Sequence, residues 1–102
     1  MANAPDYLGE ELKFAVNITA QGFSMADDDF DIIVSVGKIK QTYNKLDLVV
    51  DDQGNYYLLV DTTAFKKGDM YATIYAYVPD PDFDDGFRTE IDKVKLTTLI
   101  AP

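Results

Sequence analysis

Apolar residues recur in this chain with a period of two, and no segment of useful length carries a helical period. "ELKFAVNIT" puts Leu12, Phe14, Val16 and Ile18 on one side and Lys13, Ala15 and Asn17 on the other, the pattern of a half-buried strand. "FDIIVSVG" repeats it with Phe30, Ile32, Val34 and Val36 turned inward. Between the two, "QGFSMADDD" breaks the chain with Gly22 and a run of aspartates. "KIKQTY" is more polar and reads as an edge strand guarded by Lys38 and Lys40. "KLDLVVDDQGNYYLLVD" is the clearest hairpin: Leu46, Leu48 and Val50 lead into a "DDQGN" turn, and Tyr56, Leu58 and Val60 leave it. Beyond it, Thr62 or Thr63 is expected to cap a single helical turn ending at Gly68. "PDPDFDDG" is a long loop whose prolines fix the backbone. The closing "FRTEIDKVKLTTLI" alternates through Phe87, Thr89 and Ile91, then through Val94, Leu96, Thr98 and Ile100. About seven or eight short strands, with turn signals roughly every 8–12 residues, predict an all-β antiparallel sandwich.

A length of 102 residues fits one domain. We place a single sandwich domain at residues 10–102 and an N-terminal arm at 1–9, where Pro5 and few packing side chains leave the chain free until a neighbour binds it. A hydrophobic fraction of 47% supplies a core despite a formal charge of −9. Most of that charge is aspartate, with glutamate only at Glu10, Glu11 and Glu90, a bias that suits turns rather than helix surfaces. A pI near 4.1 opposes direct nucleic-acid binding, and the pairs Lys38/Lys40, Lys66/Lys67 and Lys93/Lys95 lie too far apart in sequence to form a stripe. No apolar run approaches the roughly 18 residues of a membrane span. The opening "MANAPDYLGEELKF" lacks the basic and apolar regions of a secretory signal, so synthesis in a cytoplasm is expected.

The residue types available restrict the chemistry. Histidine and cysteine are both absent, so Ser-His and Cys-His catalysis cannot be assembled and thiolate metal sites are ruled out. Ser24 and Ser35 have no base near them in sequence, and no Gly-rich phosphate cradle occurs. Paired carboxylates abound, but glycoside hydrolysis needs a deep cleft that a sandwich this small rarely encloses. A non-enzymatic protein without cofactor is expected. Two aspartate runs, Asp27–Asp31 and Asp80–Asp85, have the alternation that calcium sites use. Both miss the EF-hand pattern, with Ile32 and Asp85 at the sixth position where glycine is required. Solvated loop carboxylates are the simpler expectation.

"DMYATIYAYV" poses the functional question. One row holds Met70, Ala72, Ile74, Ala76 and Val78, and the other Tyr71, Thr73, Tyr75 and Tyr77. Both rows are apolar or aromatic, and a small sandwich offers a strand only one core. Either Tyr71 turns inward as a Gly-x-x-Tyr corner residue, or the tyrosines lie outside. The uncovered row is then hidden by twist and loops or by a partner. Tyrosine suits an interface, with a large apolar body, a polar tip and few rotamers to freeze. Tyr71, Tyr75 and Tyr77 are the expected partner anchors, with Pro5 and Tyr7 on the arm as a second contact.

Three segments, "YLGEELKFAVNI", "LDLVVDDQGNYYLLVDTTAFKKGDMYATIYA" and "DDGFRTEIDKVKL", together resemble the small Ig-like β-sandwich of tailed-phage virion proteins, notably the N-terminal domains of upper baseplate and head-fibre proteins. The match rests on Gly9, Glu10, Glu11 and Leu12 at the opening strand and on Gly54, Asn55 and Tyr56 at the hairpin. A Gly-x-x-Tyr strand start after "DTTAFKKG" and the late "DG" turn extend it. The resemblance implies a virion location and a multicopy auxiliary or minor capsid protein, or a fibre-anchoring adaptor, that binds the capsid shell or head fibre. The C-terminal "TTLIAP" is expected to extend a partner's sheet by strand addition. The alternative expectation is a carbohydrate- or surface-binding module in which the same tyrosines stack on sugars and the Asp80–Asp85 loop holds calcium.

Overall fold

The computed structural model describes residues 4–102, and within them the chain is built from strands and two single 3-10 turns. The strands are β1 (Asp6–Tyr7), β2 (Glu11–Val16), β3 (Phe30–Val36), β4 (Ile39–Asn44), β5 (Val49–Val50), β6 (Tyr56–Asp61), β7 (Gly68–Pro79) and β8 (Phe87–Ile100). They form a five-stranded sheet in the order β1-β8-β7-β3-β4 and a three-stranded sheet in the order β2-β6-β5. The all-β architecture follows the period-two pattern.

The core lies between the sheets. Phe30, Ile32, Val34 and Val36 of β3 and Met70, Ala72, Ala76 and Val78 of β7 are buried from one side, and Leu58 and Val60 of β6 from the other. Leu12, Phe14 and Val16 of β2 pack against them half-buried. Phe30, fully buried, meets Phe23 and Tyr56 edge to face, with ring centroids 6.3 and 6.2 Å apart. Burying side chains of this size stabilises by about 1.5–3 kcal/mol each.

Six expectations are corrected. The sandwich is not wholly antiparallel: β1 runs parallel to β8, with Asp6 opposite Leu99 and Tyr7 opposite Ile100. Residues 6–8 of the expected arm are therefore tied to the sheet. Asp6 accepts from the buried Thr97 hydroxyl at 2.5 Å, and Leu8 donates its N–H to the Ile100 carbonyl at 2.9 Å. Met1–Asn3 lie outside the described residues. The C-terminal stretch is in turn no free strand, because Leu99 pairs with Gly68 on one side and Asp6 on the other.

The hairpin before the "DDQGN" turn is shorter than its alternation suggests. Lys45–Asp47 is a 3-10 turn fixed by a capping box: Asn44 Oδ1 accepts from the Leu46 N–H at 3.1 Å, and Asp47 Oδ2 from the Asn44 N–H at 2.8 Å. This local bonding outcompetes the strand, so Leu46 is exposed, Leu48 is buried and only Val49–Val50 pair with β6. The second turn, Thr62–Ala64, is capped by Asp61 rather than by a threonine. In β8 a bulge opposite Met70/Tyr71 leaves Leu96 unmatched, though still packed against the core, and shifts the rows beyond it, so Thr97 and Leu99 point inward instead of Thr98 and Ile100.

Candidate functional site

The outer face of the five-stranded sheet answers the question raised by "DMYATIYAYV". Met70, Ala72, Ala76 and Val78 face the core, so Tyr71, Thr73, Tyr75 and Tyr77 stand on the opposite face. Register fixes their neighbours in rows across β4, β3, β7 and β8. One row is Asn44–Asp31–Tyr75–Ile91, the next Thr42–Ile33–Thr73–Lys93, and the third Lys40–Ser35–Tyr71–Lys95. Tyr77 lies beside Thr89, and Pro79 beside Phe87. All eight strands and both 3-10 turns are accounted for elsewhere, and none among the described residues is stacked on this face.

The tyrosines are half-buried rather than fully open, because polar and charged neighbours on the same face hold them. Lys93 Nζ sits 5.0 Å from the Tyr71 ring centroid, a cation–π contact. The Tyr77 hydroxyl donates to Asp31 Oδ2 at 2.7 Å. That bond, reinforced by burial, pushes the Tyr77 hydroxyl pKa up to about 12. Asp31 also accepts from Asn44 Nδ2 at 2.9 Å, so the polar tip of Tyr77 is committed within the chain. Tyr75 stands opposite Ile91, whose side chain is 62% exposed. Phe87 is exposed at the end of the same row.

Sequence reasoning missed Ile91, Phe87 and Ile33 as members of this face. The available signal was parity. Phe87 and Ile91 share a row in β8, and the antiparallel register of β7 and β8 sets that row beside the tyrosines. Tyr7, 46% exposed, reaches the same face at its corner, because its partner Ile100 shares the side of Thr98 and Asp69. Pro5 is exposed beside the sheet edge. Tyr71, Tyr75, Tyr77 and Tyr7 are therefore brought onto one surface, with Pro5 at its margin.

In its first half, from Arg88 to Asp92, the opposite side of β8 is polar. The three-stranded sheet does not extend over it, so Arg88, Glu90 and Asp92 occupy inward positions without being buried. Inward-pointing charges of this kind discourage edge-to-edge pairing. Arg88 anchors two loops: it pairs with Asp80 and Glu90, each at 3.0 Å, and donates to the Gln21 carbonyl at 2.8 Å. The Asp80 carboxyl is held below its ordinary value by the Asp82 backbone N–H and then by Arg88. With one oxygen on Asp82 N and the other on Arg88, Asp80 serves the loop's own turn. No group of three or more acidic side chains among the described residues is arranged to hold a metal ion.

Lysines that are distant in sequence meet at one end of this sheet. Lys40 and Lys95 flank the Ser35–Tyr71 pair, and Lys66, Lys67 and Lys93 line a recess beside Gly37 and Gly68. Their separation along the chain concealed a shared location that strand order creates. No helix among the described residues is long and apolar enough to cross a membrane. No known protein family, curated protein or solved structure matches the chain.

Proposed function

We propose that this protein is a non-enzymatic structural component of a tailed-phage virion. It acts as an auxiliary or minor capsid protein, or as a fibre-anchoring adaptor, present in many copies. It binds neighbouring virion proteins through the outer face of its five-stranded sheet, and the Ig-like form of the sandwich belongs to the same reading. One observation carries it: a sheet face with Tyr75, Ile33, Ile91 and Phe87 at its centre and end has no second strand layer of the described residues stacked on it. Covering a face like this with a partner removes apolar and aromatic surface from water. The charged groups around it, Asp31, Lys40, Lys93 and Lys95, form a polar rim that sets orientation. The absence of histidine and cysteine removes the commonest acid–base and nucleophilic groups, which favours binding over catalysis.

Hydroxyl-radical footprinting of the free protein and of purified virions tests this reading. The expected result is a multicopy chain in the particle, with Phe87, Tyr75 and Ile91 less reactive there than in the free state. A particle lacking the chain, or a face equally reactive in both states, would overturn it.

A further inference from the structure

Charge is sorted along the length of the molecule, whose longest extent is 49 Å. The boundary crosses β7 between Thr73 and Ile74, where Lys93 and Asp92 stand opposite. Seven of the nine basic residues and five of the eighteen acidic ones lie on the Gly68 side, a formal charge of +2. The other side holds thirteen acidic residues with only Lys45 and Arg88, a formal charge of −11, and the two together give the −9 of the chain. Both of those cations are used internally: Lys45 Nζ donates to the carbonyls of Ala26 and Asp28, and Arg88 pairs with Asp80 and Glu90.

Each end carries a matching feature. At the basic end, a recess of about 400 Å³ is lined by Val36, Gly37, Lys66, Lys67, Tyr71 and Lys93. Asp69 at its rim is engaged by Lys95 and Thr98, and none of Lys66, Lys67 and Lys93 has a carboxylate within 4.0 Å among the described residues. At the acidic end, the β7–β8 loop is held by its own turn bonds, with Asp80 N–H on the Gly86 carbonyl at 2.8 Å and Gly86 N–H on Phe83 at 2.9 Å. Phe83 is left 51% exposed at its tip between Asp82 and Asp84.

We propose that the Asp82–Phe83–Asp84 tip of one copy enters the lysine recess of the next. The Phe83 ring packs on Tyr71, and the flanking carboxylates meet Lys66, Lys67 and Lys93. Such a contact is head-to-tail and closes a ring or extends a file of copies. Complementary charge selects a second copy over a free polyanion. A net charge of −9 disfavours the long-range approach of a free polyanion, whereas a second copy offers a short acidic tip with an exposed ring to bury. This contact shares Tyr71 and Lys93 with the margin of the docking face and is tested at Asp82, Asp84, Lys66 and Lys67, which lie outside it.

Sedimentation velocity at about 0.02 M and about 0.5 M salt reads the contact, because screening separates exposed charge pairs. The mass of the wild-type protein rises with concentration at low salt, and the association constant falls about tenfold or more at high salt. The tip variant Asp82→Asn/Asp84→Asn and the recess variant Lys66→Glu/Lys67→Glu stay monomeric, and circular dichroism verifies their fold. Mixed, those two variants retain one good tip and one good recess between them, so they form dimers that do not grow. A wild-type monomer under all conditions overturns the proposal, as does association insensitive to both variants. So does binding of a short single-stranded oligonucleotide in the recess while copies stay apart.

Discussion

Tyr77 and Asp31 are 46 positions apart in sequence, and the tyrosine hydroxyl donates to the carboxylate across 2.7 Å on the outer face of the large sheet. Asn44 donates to the other carboxylate oxygen, so one aspartate joins β7, β3 and β4. This assigns different work to the tyrosines of one row. Tyr77 frames the sheet, whereas Tyr75 stands beside the exposed Ile91.

That bond makes stability depend on alkaline pH. The hydroxyl pKa is raised in the folded chain, from 10.0 to about 12, so the protonated form is the one the fold favours. Its contribution is complete below pH 10 and is lost as pH rises from there through 12. Denaturant unfolding followed from neutral to strongly alkaline pH should show this loss. In Tyr77→Phe the loss should be smaller and the neutral-pH stability lower by about 1 kcal/mol.

Thr62 is fully buried and stitches the N-terminal segment to the turn after β6. Its hydroxyl donates to the Glu10 carbonyl at 2.7 Å and accepts from the Gly9 N–H at 2.8 Å. Thr62→Val keeps the shape and strands both groups, which should cost about 1–3 kcal/mol. Amide exchange at Gly9 should speed up more than exchange at β3.

Gly68 opens β7 at a φ of +142°, and a Cβ built there would lie 3.1 Å from Val36 Cγ1. Both backbone and space oppose a side chain. Gly68→Ala should destabilise by about 1–3 kcal/mol, read as a lower denaturant midpoint.

Leu46, 89% exposed, sits in a 3-10 turn and not in a core row. Leu46→Asn should change stability by less than about 0.5 kcal/mol. A strand residue facing the core would lose several times that.

The legible part of this fold was whatever alternation alone decides. β2, β3 and β6 fall where Leu12, Phe30 and Leu58 indicate, because one side of each strand is apolar by composition. Register and local bonding were not legible. Asn44 and Asp47 look like ordinary polar residues until their reciprocal caps turn Lys45–Asp47 into a 3-10 turn. The bulge at Leu96 has no side-chain signature, yet it decides that Leu99 rather than Ile100 is buried. The tyrosine row left two assignments open, and only the pairing of β7 with β3 and β8 settled which side it takes. Ile91 was read as one more alternating residue, since nothing local reveals that its neighbour across the hairpin is Tyr75.

Docking through this face is tested most directly by co-sedimentation with assembled capsid shells of the proposed phage particle. The double variant Tyr75→Ser/Ile91→Asp, with unfolding measured alongside to confirm an intact fold, is compared with the wild-type protein. The account predicts that wild-type protein pellets with the shells and that the folded double variant stays in the supernatant. Equal pelleting of the two, or a wild-type protein that never pellets at saturating shell, would contradict it.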